Sequence, residues 1–87
     1  MKMWTKKNNA LHLEIQGDTF PTTKEFISSV LDLADKHQHH PTLKNTYTKV
    51  ELILTTHDEG NTVTQKDTGL AKEITSLVET NKHLHAQ

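Results

Sequence analysis

The chain predicts an α+β fold, with two helices packed on one face of a four-stranded, mostly antiparallel sheet in the order ββαββα. Three observations predict it. Apolar and polar residues alternate from Leu11 to Gln16 and again from Tyr47 to His57, the period of half-buried strands. Apolar residues recur at helical spacing from Phe26 to His37 and from Leu70 to Val78. The segments between these stretches hold the turn formers Asn8-Asn9, Gly17-Asp18, Pro21 and Gly60-Asn61.

The elements follow in order. The segment "KMWTKKNNALHLEIQGD" predicts a hairpin turning at Asn8-Asn9, because asparagine tolerates left-handed backbone. Leu11, Leu13 and Ile15 then share one face of the second strand. After the loop "GDTFPTT", Thr22 or Thr23 caps a helix, and Thr22 with Glu25 has capping-box spacing. Phe26, Val30, Leu33, Ala34 and His37 form its stripe. The helix ends near His39 or His40, since Pro41 disfavours helical backbone in the residue before it. From Tyr47 to His57, Val50, Leu52 and Leu54 occupy one strand face, while Tyr47 and Ile53 make the other only partly polar. "HDEGN" is a turn, and Thr62-Val63 leaves room for a short strand. Thr64 with Asp67 starts the second helix, and Leu70, Ile74, Leu77 and Val78 form its stripe. Lys82, His83 and His85 fall in its last turn or just beyond.

Composition sets further bounds. Eighty-seven residues are enough for one domain, taken as 1–87. At 32% hydrophobic the core is small. A chain this short buries only about 60–65% of its unfolded surface, so a homodimer or homotetramer is expected. The formal net charge is −1 and no basic block stands out, which argues against direct nucleic-acid binding. Cysteine is absent, which excludes disulfides and thiolate chemistry. No apolar run approaches the roughly 20 residues of a membrane span, and no secretory leader is visible. The expectation is a soluble, cytoplasmic protein.

The chemistry concentrates in "DKHQHHPTLKNTY", Asp35 to Tyr47, which holds three of the seven histidines. His37 lies on the helix stripe and reads as a packing residue, and His12, His83 and His85 read as surface residues. A metal site is not expected. Imidazole suits several metals, but nothing here supplies four ligands at the spacing of a structural zinc site. Acid–base chemistry fits better, because imidazole exchanges protons near neutrality. His39 and His40 at a helix end could meet His57 at a strand end. Histidines converging on one ligand could protonate a departing hydroxyl and remove a neighbouring proton, the two tasks of a dehydratase.

Asp35, His39-His40-Pro41, Tyr47, His57 and Asp67 stand at spacings that resemble the signature of the pterin-4a-carbinolamine dehydratases. "EFISSVLDLADK", "TTHDEG" and "KDTGLAKEI" also resemble family segments, as does Trp4 ahead of the Ala10-Leu11 strand. The chain begins almost at that tryptophan, so the family's N-terminal helix is not in the sequence. Thr42-Leu43 follows the proline where the family usually has an acidic or polar residue and then tryptophan, and Asp35 stands where glutamate is common.

The resemblance implies removal of water from a 4a-hydroxytetrahydropterin to give the quinonoid dihydropterin, with no metal or other cofactor. It implies that His39 and His57 share the acid and base roles and that His40 holds the pterin. Asp35 would orient an imidazole or touch the pterin, and Trp4, Thr55 and Thr56 would line the pocket. Tyr47 and Asp67 read as structural. Two alternatives stay open: a protein-binding or dimerisation module, and an enzyme acting on another pterin.

Overall fold

The computed structural model describes residues 3–87. Strands β1 (Thr5–Lys7) and β2 (Ala10–Gly17) form the expected hairpin. Asn8 and Asn9 both take left-handed backbone, at φ 53° and 61°, which matches the right-handed twist of the strands they join. Helix α1 (Phe20–His37), strands β3 (Thr42–Thr46) and β4 (Lys49–Leu54), helix α2 (Gln65–Glu79) and strand β5 (Leu84–Ala86) complete the chain. The sheet order is β1-β2-β4-β3, and β5 pairs with β2 beyond the stretch used by β1. The α+β class is as predicted. The sheet, however, has five strands rather than four.

Both unpredicted strands lack an apolar pattern of their own. In β3 only Leu43 is apolar, and it reaches the helix side because it lies opposite Leu52. β3 and β4 are joined at Tyr47-Thr48, so Tyr47 belongs to a turn and does not start a strand. Its φ is 52°, and the Asn45 side chain steadies the turn by donating to the Tyr47 and Lys49 carbonyls. β5 has Leu84 as its one large apolar residue and is held by backbone pairing to β2. Asp18 clasps this strand. Its carboxylate meets His83 Nδ1 at 3.1 Å and His85 Nε2 at 2.8 Å, and its amide donates to the His83 carbonyl. The short strand expected at Thr62-Val63 reduces to a single bridge between Thr56 and Thr62.

Helix α1 starts earlier than predicted. Thr19 is the N-cap, accepting from the Thr22 amide at 3.3 Å, and Pro21 sits in the first turn. A proline is tolerated there because its missing N–H would have had no partner in the helix. At the other end Gln38 turns left-handed at φ 50° and the His39 amide donates back to Ala34. His39 and His40 therefore lie just past the helix, not in its last turn. In α2, Asp67 Oδ2 accepts from the Thr64 amide at 2.8 Å, which realises the predicted capping box.

The core lies between sheet and helices. Leu11, Leu13 and Ile15 of β2 and Val50, Leu52 and Leu54 of β4 meet Phe26 and Val30 of α1 and Leu70, Ala71 and Ile74 of α2. Trp4 joins this core and donates from its indole to Thr75 Oγ1 at 2.9 Å. On the other face, β2 presents His12, Glu14 and Gln16, opposite Ile53, Glu51 and Lys49 of β4. That face is more polar than predicted, because Tyr47 lies at the hairpin turn stacked on Phe20, ring centroids 5.9 Å apart.

Candidate active site

The cleft that gathers the predicted chemistry lies where the end of α1, the end of β4 and the start of α2 meet. It encloses about 200 Å³ and is lined by Gln38, His39, His40, Thr55, Thr56, His57, Asp58 and Lys66. Two clefts of similar or larger volume, about 270 and 220 Å³, lie elsewhere, and neither brings two histidines together. Chemistry rather than size singles out this one.

Asp67, whose side chain is fully buried, holds two of the lining residues, His39 and Thr56, from behind. Oδ1 lies 2.5 Å from His39 Nε2, and Oδ2 accepts from Thr56 Oγ1 at 2.6 Å and from the Thr64 amide. An ionised carboxylate only accepts, and this fixes the direction of each bond around it. The Thr56 hydroxyl donates to Asp67, so in the 2.7 Å contact between Thr56 and Thr64 it is Thr64 that donates. His39 likewise presents Nε2–H to the carboxylate, and among the described residues its Nδ1 has no hydrogen-bond partner. Burial pushes the Asp67 carboxyl up, but the hydrogen bonds from Thr56, His39 and the Thr64 amide outweigh it and hold the group below the usual carboxylate range. Among the described residues no buried side-chain nitrogen or oxygen lacks a partner.

The other predicted residues are placed as follows. His57 opens a short 3₁₀ turn, His57–Glu59, rather than ending a strand, and its Nδ1 meets Asn61 Oδ1 at 2.5 Å. His40 is exposed at the cleft, with Nε2 3.6 Å from Asp35 Oδ1. Asp35 is outside the lining, with its side chain 82% exposed. Thr55 and Thr56 both line the cleft, and Thr55 also donates to the Asn9 carbonyl at 2.9 Å. Trp4 stands apart, in the core against Thr75. Three predicted histidines thus share one cleft, while Asp35 and Trp4 are not part of its lining. His37, read as a packing residue, pairs with Glu73 across the two helices.

Sequence reasoning placed Asp67 as a helix-capping carboxylate and missed its second role. The signal was half visible: capping-box spacing accounts for one oxygen and leaves the other to a partner supplied by the fold. Lys66 and Asp58 carried no pattern at all and reach the lining only because they neighbour Asp67 and His57. Among the described residues, no group of three or more His, Cys, Asp or Glu side chains is arranged to hold a metal ion, and no helix is long and apolar enough to cross a membrane.

The fold and cleft define a class: small two-layer α+β proteins with histidines at a helix end facing a histidine beyond a strand end. The model of the pterin 4 alpha carbinolamine dehydratase family matches residues 1–77, and the chain belongs to that family. It is similar to a protein of Roseiflexus sp. (strain RS-1) named provisionally as a pterin-4-alpha-carbinolamine dehydratase. The two are 39% identical over 75 residues, which cover 86% of this chain and 80% of the relative. A Sulfolobus acidocaldarius protein of the same provisional name is 39% identical over 74 residues, covering 85% and 80%. The crystal structure of a transcriptional coactivator/pterin dehydratase from Brucella melitensis superposes with a TM-score of 0.82 at 29% identity, covering 87% of this chain and 82% of that one.

Proposed function

We propose that this protein is a hydro-lyase that removes water from a 4a-hydroxytetrahydropterin to give the quinonoid dihydropterin, by histidine acid–base catalysis in the cytoplasm. The observation that carries the reading is the pair His39 and His57 on one cleft, with His39 held by the buried Asp67 carboxylate. The reaction breaks the C4a–O bond and forms the C4a=N5 bond. Hydroxide is a poor leaving group, so one imidazolium protonates it as it departs. A neutral imidazole accepts the N5 proton, and the N5 lone pair becomes the new π bond. Proton transfer of this kind is worth about 10²–10⁴-fold, or roughly 3–5 kcal/mol. His40, exposed at the same cleft, holds the pterin, and Asp35 steadies His40 from outside it.

The decisive experiment is a dehydration assay with the 4a-hydroxy adduct, measured above the uncatalysed rate. Acceleration by the untagged protein, unchanged by a chelator, is the expected result. No acceleration, or activity that chelation removes and stoichiometric zinc restores, would refute the reading. A second reading follows from the Brucella melitensis neighbour, which is described as a coactivator as well as a dehydratase. A protein-binding role would be favoured if the assay gave no turnover while the protein remained folded. Comparison of pterins differing at C6 separates tetrahydropterin recycling from action on another pterin.

A further inference from the structure

We infer that Asn61 is a positioning residue that sets the tautomer of His57 and so makes His57 the base and His39 the acid; this rests on the dehydratase reading above. The two imidazoles are held differently. His39 gives Nε2–H to a carboxylate. His57 meets an amide oxygen, Asn61 Oδ1, through Nδ1 at 2.5 Å. A carbonyl oxygen only accepts, so His57 carries its proton on Nδ1 and leaves the lone pair on Nε2. Among the described residues Nε2 has no hydrogen-bond partner, and His57 lines the cleft.

The loop is built to hold this contact. Gly60 and Asn61 are consecutive left-handed residues, at φ 76° and 57°, and curl the chain so that residue 61 returns to residue 57. The backbones of Thr56 and Thr62 close the loop beneath it, with Thr56 N–H donating to the Thr62 carbonyl at 2.9 Å. Thr56 also donates to Asp67, so the two imidazoles are referenced to one buried carboxylate.

The different partners divide the work. A carboxylate beside His39 compensates the charge of an imidazolium, which then offers Nδ1–H to the departing hydroxyl. A neutral amide beside His57 offers no such compensation and leaves a neutral ring whose Nε2 accepts the N5 proton. His39 ends one proton short and His57 one proton richer, water leaves, and exchange with solvent resets both.

The test combines a spectroscopic signature with kinetics. Nitrogen-15 NMR of the imidazoles, with His57 assigned by loss of its signals in His57→Ala, reports which nitrogen carries the proton. The expected parent signature is Nδ1–H for His57 and Nε2–H for His39, with His39 Nδ1 also protonated in the imidazolium that acts as the acid. Asn61→Gly keeps the left-handed backbone and removes the acceptor. It should scramble the His57 tautomer and lower kcat about 10-fold with KM unchanged, the scale on which lost orienting partners act. Asn61→Asp keeps both the acceptor and tolerance of this backbone, and should restore the proton on Nδ1, while its carboxylate favours the imidazolium and so keeps kcat below the parent's. A parent that dehydrates while His57 carries its proton on Nε2, or an Asn61→Gly protein with the parent's kcat, would overturn the assignment alone. A folded parent with the expected tautomers and no dehydration would overturn the underlying reading, and the assignment with it.

Discussion

Two oxygens on Asp67 serve three donors, and each donor belongs to a different segment: His39 after α1, Thr56 after β4, and the Thr64 amide at the start of α2. Asp67→Ala would leave all three without their acceptor in a buried place. Such losses cost about 1–3 kcal/mol for each unsatisfied group, less whatever water recovers. A lowered denaturation midpoint and a fall in kcat are expected together, because the carboxylate both caps the helix and orients the imidazole. The histidines should separate these effects. His39→Ala and His57→Ala should each lower kcat by at least about 10-fold, towards the ~10²–10⁴ of acid–base groups, with a near-parental thermal midpoint for His57→Ala and a lowered one for His39→Ala, which leaves Asp67 Oδ1 buried without its donor. His40→Ala should raise KM more than it lowers kcat, the pattern of lost uniform binding. Variants of His39 and His57 that fold normally and turn over like the parent would remove the acid–base assignment. His37, whose partner Glu73 lies on the surface, should change stability only slightly when replaced and leave kcat alone.

At the scale of elements, the approach of β2 to α1 is set by Gly17. A Cβ built there would lie 2.2 Å from Thr23 Oγ1, and Thr23 is fully buried while donating to the Thr19 carbonyl at 2.8 Å. Gly17→Ala should therefore force α1 away from the end of β2 and cost about 1–3 kcal/mol, the range for overpacking a filled interior. A urea titration checks this. Gly17 lies at the opposite end of β2 from Leu11, which pairs with Leu54 beside the cleft. kcat measured well below the unfolding transition should then match the parent. A variant of parental stability would show that α1 can yield at this point.

For the whole molecule, three carboxyls link stability to acid. Hydrogen bonds from His83 and His85 lower Asp18, and those from His37 and Lys36 lower Glu73, while Asp67 is lowered by its donors against the effect of burial. A carboxyl depressed in the folded state binds its proton more readily when unfolded, so stability is lost as pH falls. The contribution is fully present above the ordinary values of 3.8 for the aspartates and 4.5 for the glutamate, and disappears as pH falls through the lowered folded values. Thermal midpoints should accordingly drop below about pH 4, and the acid slope should be shallower in Asp67→Asn. The two surface groups contribute less than Asp67, because water screens them. Assembly remains a proposal at this scale. Light scattering should find at least a dimer, and only monomer at micromolar concentration would refute it. The helix-free sheet face gives that proposal little support, since Ile53 is the one apolar residue among the six facing positions of β2 and β4.

Local pattern determined what local physics controls. The alternation of Leu11, Leu13 and Ile15 and the helical stripes through Val30 and Ile74 specified the elements that bury them, because a side chain's face follows from backbone period. Asn8-Asn9 and the Thr64–Asp67 cap were legible for the same reason: the interactions that stabilise them span four residues or fewer. The histidines of the cleft were legible through their family spacing. β3 and β5 were not, because their pairing energy comes from partners far along the chain and their own residues are mostly polar. Only tertiary structure could turn Asp67 from a helix cap into the partner of His39, 28 residues away, and keep Trp4 in the core against Thr75. A carboxylate's second oxygen has no sequence signature, and the left-handed closure at Gln38 that delivers His39 to it is made by a residue that pattern alone does not mark as a turn.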